Sequence, residues 1–278
     1  MAAFPPPPTL PAITDDTGAQ LRLTAHPARI VSLAPGATEM LFAAGAGERI
    51  IATVQFSTEP AAARSIERVG DSQAVDLERI VALAPDVIVV WPGGNSAAQI
   101  ATLERLRMPI YRHRVARLAD LPDSIERLGV LAGTSAVAQR AAAQLRAQLK
   151  QLAATYQGRR ELSVLLEIWD HPIYTVGGTH LMSDALHYCG ARNIFGDLTG
   201  ASPTVTEEAV IARDPDVIVA AAPGNSGQGW LASWRRFAGL AAVRRGNLIA
   251  FEDQRLSRLG PSAVLATEQL CERLARAR

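Results

Sequence analysis

The longest unbroken amphipathic pattern in the chain runs from about Thr134 to about Gln157, reading TSAVAQRAAAQLRAQLKQLAATYQ. Leu145, Leu149 and Leu152 recur at helical spacing with Val137, Ala141 and Ala142, so one stripe is apolar, and Arg140, Arg146 and Lys150 form a basic side. Thr134 or Ser135 can cap its start by accepting a bond from an orphan backbone N–H. Gly158 follows the last turn, where a left-handed residue is cheapest, and no Gly or Pro interrupts the run. The pattern predicts one helix on the order of 35 Å long. On either side of it lie short, β-branched apolar runs that do not alternate: RIVSLAP (29–35), RIIATVQF (49–56), DVIVVW (86–91), PIYRHRV (109–115), ELSVLLEIW (161–169), DVIVAAA (216–222) and the end of AAVRRGNLIAFED (241–253). These predict buried parallel strands. Helical patterns alternate with them, at 38–44, 76–83, 96–106, 180–190, 204–213, 229–240 and 261–278. ITDDTGAQLRLTAHP (13–27) predicts a small hairpin turning at Asp-Thr-Gly. Residues 1–12 are Pro-rich and predict an extended, mobile tail, and 57–70 and 170–178 read as loops.

The two sides of the long helix resemble each other. DLERIVALAPDVIVVWPGGNS (76–96) aligns without a gap on TEEAVIARDPDVIVAAAPGNS (206–226), at an offset of 130 residues. The shared frame is Glu78/Glu208, Ala82/Ala212, Pro85/Pro215, the Asp-Val-Ile-Val runs from Asp86 and Asp216, Gly94/Gly224, Asn95/Asn225 and Ser96/Ser226. A weaker echo pairs residues 39–50 with 184–195. So long a period does not describe a solenoid. It predicts an α/β protein of two Rossmann-like lobes joined by one long rigid α-helix, with a ligand cleft between the lobes. The boundaries are 1–27 for tail and hairpin, 28–133 for the N-terminal lobe, 134–157 for the linking helix and 158–278 for the C-terminal lobe.

A length of 278 residues suits two domains of ordinary size. The net charge of +1 gives no electrostatic reason to expect nucleic acid or a membrane surface as partner. No run approaches the ~18–20 apolar residues of a membrane span. MAAFPPPPTLPA has neither a basic n-region nor an apolar h-region, so it does not read as a signal peptide, and a mature exported protein would read the same way. Cys189 and Cys271 both fall in helical patterns of the second lobe. They can be two buried thiols, or a disulfide closing a loop of about 80 residues, worth about 4–5 kcal/mol in the loop-entropy model. The latter requires an oxidising compartment.

In open α/β sheets, ligands bind beyond the carboxyl ends of the strands. Phe56, Trp91, Trp169, Tyr174 and Asp253 with Arg258 fall there, in a chain that is only 5% aromatic, and together they suggest an aromatic-lined site with a few polar anchors. Other chemistry is missing. There is no GxGxxG, Walker A or GxSxG sequence, no HExxH and no Cys/His ligand cluster, so neither nucleotide nor metal is expected. Asp15/Asp16 and Glu207/Glu208 are neighbours in sequence, which points their carboxylates apart and makes them poor acid/base pairs. A two-lobe α/β enzyme would need cofactor loops or cysteine ligands that the chain lacks; no enzyme and no resident cofactor are expected.

RIVSLAPGATEMLFAAG, LERIVALAPDVIVVWPGGN, the long helix, CGARNIF and the Cys-bearing C-terminal helix resemble the helix-linked periplasmic binding proteins of ABC importers, over residues 28–277. Among them the members that carry vitamin B12 are the most similar. The resemblance implies a periplasmic, exported, monomeric carrier of a corrinoid (cobalamin or cobinamide) that serves an import permease dimer. It implies ligand contacts at Phe56, Trp91 and Tyr174, polar contacts to the corrin side chains at Asp253 and Arg258, and a Cys189–Cys271 disulfide. Glu78 and Glu208, one per lobe, match the two acidic residues that dock onto arginines of the permease. Two positions that are Trp in corrinoid carriers are Ser72 and Ser202 here. That removes stacking area, which Trp169 beside the second-lobe loop could replace. Haem or a ferric siderophore, carried by relatives of the same fold, is the alternative ligand, and Tyr174, His171 and His180 are the candidate axial ligands for a haem iron.

Overall fold

The computed structural model describes residue 10, residues 12–200 and residues 202–278. Most of the expected Pro-rich tail therefore lies outside the described residues. The chain forms two compact lobes. The first takes the described residues up to Val115, with Asp120–Arg146 and Leu259–Pro261; the second takes Ala116–Ala119, Ala147–Arg258 and Ser262–Arg278.

The first lobe opens with an antiparallel hairpin, β1 (Ile13–Thr14) and β2 (Gln20–Leu21). Its turn is closed by Asp15, whose Oδ1 accepts from Thr17 N, Thr17 Oγ1 and Ala19 N at 2.7–2.9 Å. Asp15 Oδ2 also accepts from Arg112 N at 3.2 Å, and the Asp16 carboxylate beside it is buried. The Asp16 carboxylate accepts from Ser124 Oγ (2.6 Å), Arg127 Nε (2.7 Å), Tyr111 Oη (2.9 Å) and Arg114 N (3.1 Å), and it meets His113 Nδ1 at 3.0 Å. Burial would raise its pKa, but the His113, Ser124 and Arg127 contacts overcome that and hold the carboxyl well below the usual carboxylate range. Both aspartates are spent on structural bonds and tie the hairpin to the lobe through the backbone of Arg112 and Arg114.

The lobe continues with β3 (Ile30–Ser32), α1 (Pro35–Ala43), β4 (Ile50–Thr53), β5 (Glu67–Arg68), α2 (Leu77–Ala82), β6 (Val87–Val90), α3 (Ala97–Arg105), β7 (Ile110–Arg112) and α4 (Leu121–Ala132). The sheet is parallel in the order β5-β4-β3-β6-β7. Val31, Leu33, Val54, Ile80, Ile88, Val90 and Leu103 form its core. β5 lies in a segment read as loop; two polar residues carry no period for a sequence reading to detect.

The long helix α5 (Ser135–Tyr156) starts in the first lobe and ends in the second. Its buried stripe is Ala138, Ala142, Leu145, Leu149 and Leu152, whereas Val137 is exposed, one position off the expected face. Arg146 on the basic side pairs with Asp123 (2.6 Å) and Glu126 (2.7 Å) of α4.

The second lobe holds β8 (Leu162–Glu167), β9 (Trp169–Asp170), β10 (Ile173–Tyr174), α6 (Leu181–Tyr188), β11 (Ala191–Asn193), β12 (Thr204–Val205), α7 (Glu207–Arg213), β13 (Val217–Ala221), α8 (Ser226–Trp234), α9 (Ala241–Arg244), β14 (Leu248–Phe251) and α10 (Ser262–Ala275). Its parallel sheet runs β11-β8-β13-β14, and β12-β10-β9 form a small antiparallel sheet. The latter sits in segments read as loop and helix start, because two-residue strands look like turns in sequence.

Setting β5 aside, the two parallel sheets have the same strand order, so the internal repeat extends beyond the aligned segment. The registers agree: Ile30 lies opposite Val87, and Val164 opposite Val217, the repeat partner of Val87. The repeated aspartates have a structural task. Asp86 Oδ2 accepts from Ala28 N (2.8 Å) and Arg29 N (2.9 Å), and Asp216 Oδ2 accepts from Ser163 N and Oγ (both 3.0 Å). Each staples the start of one central strand to its neighbour. The preceding helices both end on a left-handed non-glycine residue, Ala84 (φ 42°) and Asp214 (φ 38°).

Cys189, at the end of α6, and Cys271, on α10, form the disulfide implied by the family resemblance, with both residues fully buried. Glu167, the last residue of β8, is also buried, and its Oε2 accepts from Trp234 Nε1 at 2.9 Å. Burial raises its pKa from 4.5 to about 7, against the Trp234 bond and helped by the nearby charge of Asp170.

Two predictions follow from these buried groups. The bridge spans 82 residues, so the double change Cys189→Ala with Cys271→Ala should cost about 4–5 kcal/mol in urea unfolding; an unchanged midpoint would show that the bridge does not stabilise the fold. At Glu167 the folded chain holds a proton that the unfolded chain releases above pH 4.5. Its contribution is therefore most favourable below the unfolded value, declines as pH rises and levels off above about 7, a total of about 3 kcal/mol. Glu167→Gln should flatten the stability profile between pH 5 and 8 relative to wild type, and identical slopes for the two proteins would refute this.

Candidate functional site

In the first lobe, the residues expected to contact ligand gather beyond the carboxyl end of the sheet. Phe56 projects from the loop after β4. It is 71% exposed and has a left-handed backbone (φ 65°), a conformation that costs a bulky residue energy and needs support. The support is a buried hydroxyl chain: Thr38 Oγ1 contacts Ser32 Oγ (2.9 Å) and Thr53 Oγ1 (2.8 Å), and Thr53 Oγ1 donates to Ser57 Oγ (2.9 Å). Arg68 holds the Ser57 carbonyl from the far side at 2.8 Å.

Trp91 follows β6 and is half-buried. Its indole lies over the two glycines of WPGG. A Cβ on Gly94 would stand 1.9 Å from Trp91 Cζ3, and one on Gly93 would stand 2.8 Å from Nε1. Asn95 locks the arrangement. Its Oδ1 accepts from Trp91 N (2.6 Å), and its Nδ2 donates to the carbonyls of Leu33 (2.8 Å) and Ser72 (2.7 Å). One buried amide thus joins three loops, one carrying Trp91 and another Ser72. The sequence reading passed over Asn95 as a site residue, although its place in the repeat was a signal for it.

In the second lobe, Trp169 and Tyr174 face each other as a cross-strand pair of β9 and β10. Trp169 is 54% exposed, donates from Nε1 to the His171 carbonyl (3.2 Å) and packs on Trp230 with ring centroids 5.9 Å apart. Tyr174 pairs on its other side with Thr204 of β12, two residues beyond Ser202. This small sheet therefore collects the aromatic candidates of the lobe with one of the two serines.

Asp253 lies apart from them, in a pocket of about 300 Å³ at the carboxyl ends of β8, β13 and β14, whose walls include Ile168, Val176, His180, Phe251 and Leu256 but neither Trp169 nor Tyr174. Its partner is Arg255, which the sequence reading did not single out. Arg255 Nε and a terminal nitrogen reach both carboxylate oxygens at 2.6–3.1 Å. Arg255 holds the Asp253 carboxyl below its ordinary range, and the charge of Arg258 adds to the effect. Arg258 ends the short turn that Asp253 begins, through a bond from its N–H to the Arg255 carbonyl (3.0 Å).

The histidines have structural occupations. His180 caps α6, its Nδ1 accepting from Met182 N at 3.2 Å, and burial lowers its pKa. His171 is exposed and pairs with Asp170 at 2.9 Å. Among the described residues no cluster of His, Cys, Asp and Glu is arranged for a metal ion, and no helix is long and apolar enough to cross a membrane. Glu78 on α2 and Glu208 on α7 are both exposed, and neither makes an ion pair among the described residues.

Comparisons with known proteins place this architecture. The chain is 33% identical over 244 residues to a vitamin B12-binding protein of Vibrio parahaemolyticus, covering 88% of each chain. A vitamin B12-binding protein of Vibrio cholerae is 34% identical over 247 residues, with 87% of each covered. The crystal structure of the periplasmic vitamin B12 binding protein BtuF of Vibrio cholerae superposes with a TM-score of 0.83 at 33% identity, covering 91% of this chain and 98% of that one. The periplasmic haem-binding protein HutB of Vibrio cholerae shares the fold, with a TM-score of 0.77 at 17% identity over 90% of this chain and 99% of that one. These relatives are binding proteins rather than enzymes. Matched by the family's model over residues 30–254, the chain belongs to the periplasmic binding protein family.

Proposed function

We propose that this protein is exported to the periplasm, captures a corrinoid, cobalamin or cobinamide, and delivers it to the permease of an ABC importer. The observation that carries the reading is the 33% identity, over nearly the whole chain, to a solved vitamin B12 binding protein. The geometry supports it. Phe56 and Trp91 offer exposed or half-buried aromatic surface in the first lobe, Trp169 and Tyr174 do so in the second, and Asp253 with Arg258 nearby supplies polar contacts of the kind corrin amides require. Ser72 and Ser202 leave small side chains where corrinoid carriers have Trp, and the exposed Trp169, backed by the buried Trp230, restores part of that area. Binding is the whole of the chemistry, and Glu78 and Glu208 meet cationic side chains of the two permease subunits.

Purified protein mixed separately with cyanocobalamin, cobinamide, haemin and a ferric siderophore, then gel-filtered, should carry the corrinoid absorbance with it. Trp91→Ala should weaken that binding by about 1–3 kcal/mol, the loss typical of a buried aromatic anchor. Tight retention of haemin with no retention of either corrinoid would overturn the assignment.

The docking role has its own test. Glu78→Ala with Glu208→Ala should leave corrinoid affinity unchanged and impair uptake more than either single change, since one exposed ion pair is worth only about 0–1 kcal/mol. Normal uptake by the double variant would refute it.

A further inference from the structure

The repeat places more than a carboxylate at equivalent points of the two lobes. One turn beyond Glu78 stands Val81, and one turn beyond Glu208 stands Ile211. Both are β-branched aliphatic side chains, and both are 41% exposed. Ala82 and Ala212 follow and are exposed too. Positions i, i+3 and i+4 share one helix face, so α2 and α7 each present the sequence carboxylate, aliphatic, alanine outward. The opposite face of each is anchored by a fully buried residue, Ile80 or Val210.

The other charged residues of these helices are committed within the chain. Arg79 pairs with Glu67 at 2.6 Å, Glu207 with Arg236, and Arg213 with Asp197 at 2.6 Å. No such pair covers Val81 or Ile211. An exposed aliphatic residue is ordinary on its own. Here one recurs at the same position of both repeats, beside the same acidic residue, although the neighbouring positions have diverged: Leu83 answers to Arg213, and Arg79 to Ala209.

We infer that Glu78 with Val81, and Glu208 with Ile211, are two copies of one mixed docking patch, each fitting a protein surface that sets a cationic side chain about one helical turn from an apolar recess. A partner that offers this site twice is a symmetric dimer, and under the function proposed above it is the permease dimer. The carboxylates draw the partner in and orient it, through a salt-sensitive attraction. The aliphatic residues supply a contact that salt does not screen.

The two contributions separate in one experiment. The importer, purified from the source organism and reconstituted in nanodiscs, is titrated with cyanocobalamin-loaded protein at low and high salt. Val81→Ser with Ile211→Ser should weaken docking about 10-fold or more at both salt concentrations, as expected for two half-exposed aliphatic side chains that become buried. Val81→Ala with Ile211→Ala should give a smaller loss in the same direction, and thermal melts check that both variants are folded. Glu78→Ala with Glu208→Ala should weaken docking mainly at low salt. Leu106→Ser with Val130→Ser, which changes two exposed apolar residues outside the repeat frame, should have no effect. Cyanocobalamin affinity should be unchanged throughout. Wild-type docking by the folded Val81/Ile211 variants, with loss confined to the glutamate variant, overturns this inference and leaves the proposed function standing. Failure of corrinoid-loaded wild-type protein to dock at all overturns the permease reading and this inference with it.

Discussion

The structure depends on strands buried on both faces. Every residue of β6 is fully buried, and β8 and the first four residues of β13 are buried along their length. A strand with no solvent face needs helices on both sides of its sheet, and crossover helices make neighbouring strands parallel. Parallel strands put all their carboxyl ends on one edge, where the loops are free to vary. The same constraint acts twice, once in each lobe, and it explains why Phe56, Ser72 and Trp91 share one end of the first sheet while Asp253 sits at the corresponding end of the second.

The loops at those ends are held by specific polar bonds as well as by buried apolar residues such as Leu33, Val54 and Val75. Asn95 joins the Trp91 loop to the carbonyls of Leu33 and Ser72, and the Ser32–Thr38–Thr53–Ser57 hydroxyl chain supports the strained backbone of Phe56. A binding loop whose tip lacked such bonds would be ordered only on binding, at an entropic cost. Preorganisation by buried, satisfied hydrogen bonds avoids that cost, and it suits a carrier whose only task is to bind and release.

The repeat contains residues with an evident structural task and residues without one. Asp86 and Asp216 are as well matched as Glu78 and Glu208, yet each accepts two bonds that start a central strand, so their recurrence is accounted for within the fold. Glu78 and Glu208 recur on exposed positions without an ion pair among the described residues, Glu208 bonding only its own backbone and the neighbouring Thr206 hydroxyl, and Val81 and Ile211 recur beside them. A residue repeated with a buried structural task is explained by the fold; a residue repeated on the exposed face is not, and that contrast is what motivates the docking proposal.

The amino-acid pattern alone determined the two α/β lobes, the single long helix and the internal repeat. Apolar period reports burial directly, and these elements are long enough to show one. For Cys189 and Cys271 the pattern left both thiols and a disulfide open; the family resemblance implied the bridge, and the fold brings α6 and α10 together to make it. Tertiary structure alone decided the rest. The short strands β5, β9, β10, β11 and β12 are too brief to carry a period. Val137 lies outside the buried stripe of α5 because the neighbouring elements, not the helix's own spacing, set the width of that stripe. Asp16 is buried because Tyr111, His113, Ser124 and Arg127, about a hundred residues away, converge on it. Asp253 takes Arg255 as its partner because the turn between them aims both side chains at one point. Polar contacts depend on where distant or oppositely turned groups meet in space, and no one-dimensional pattern records that.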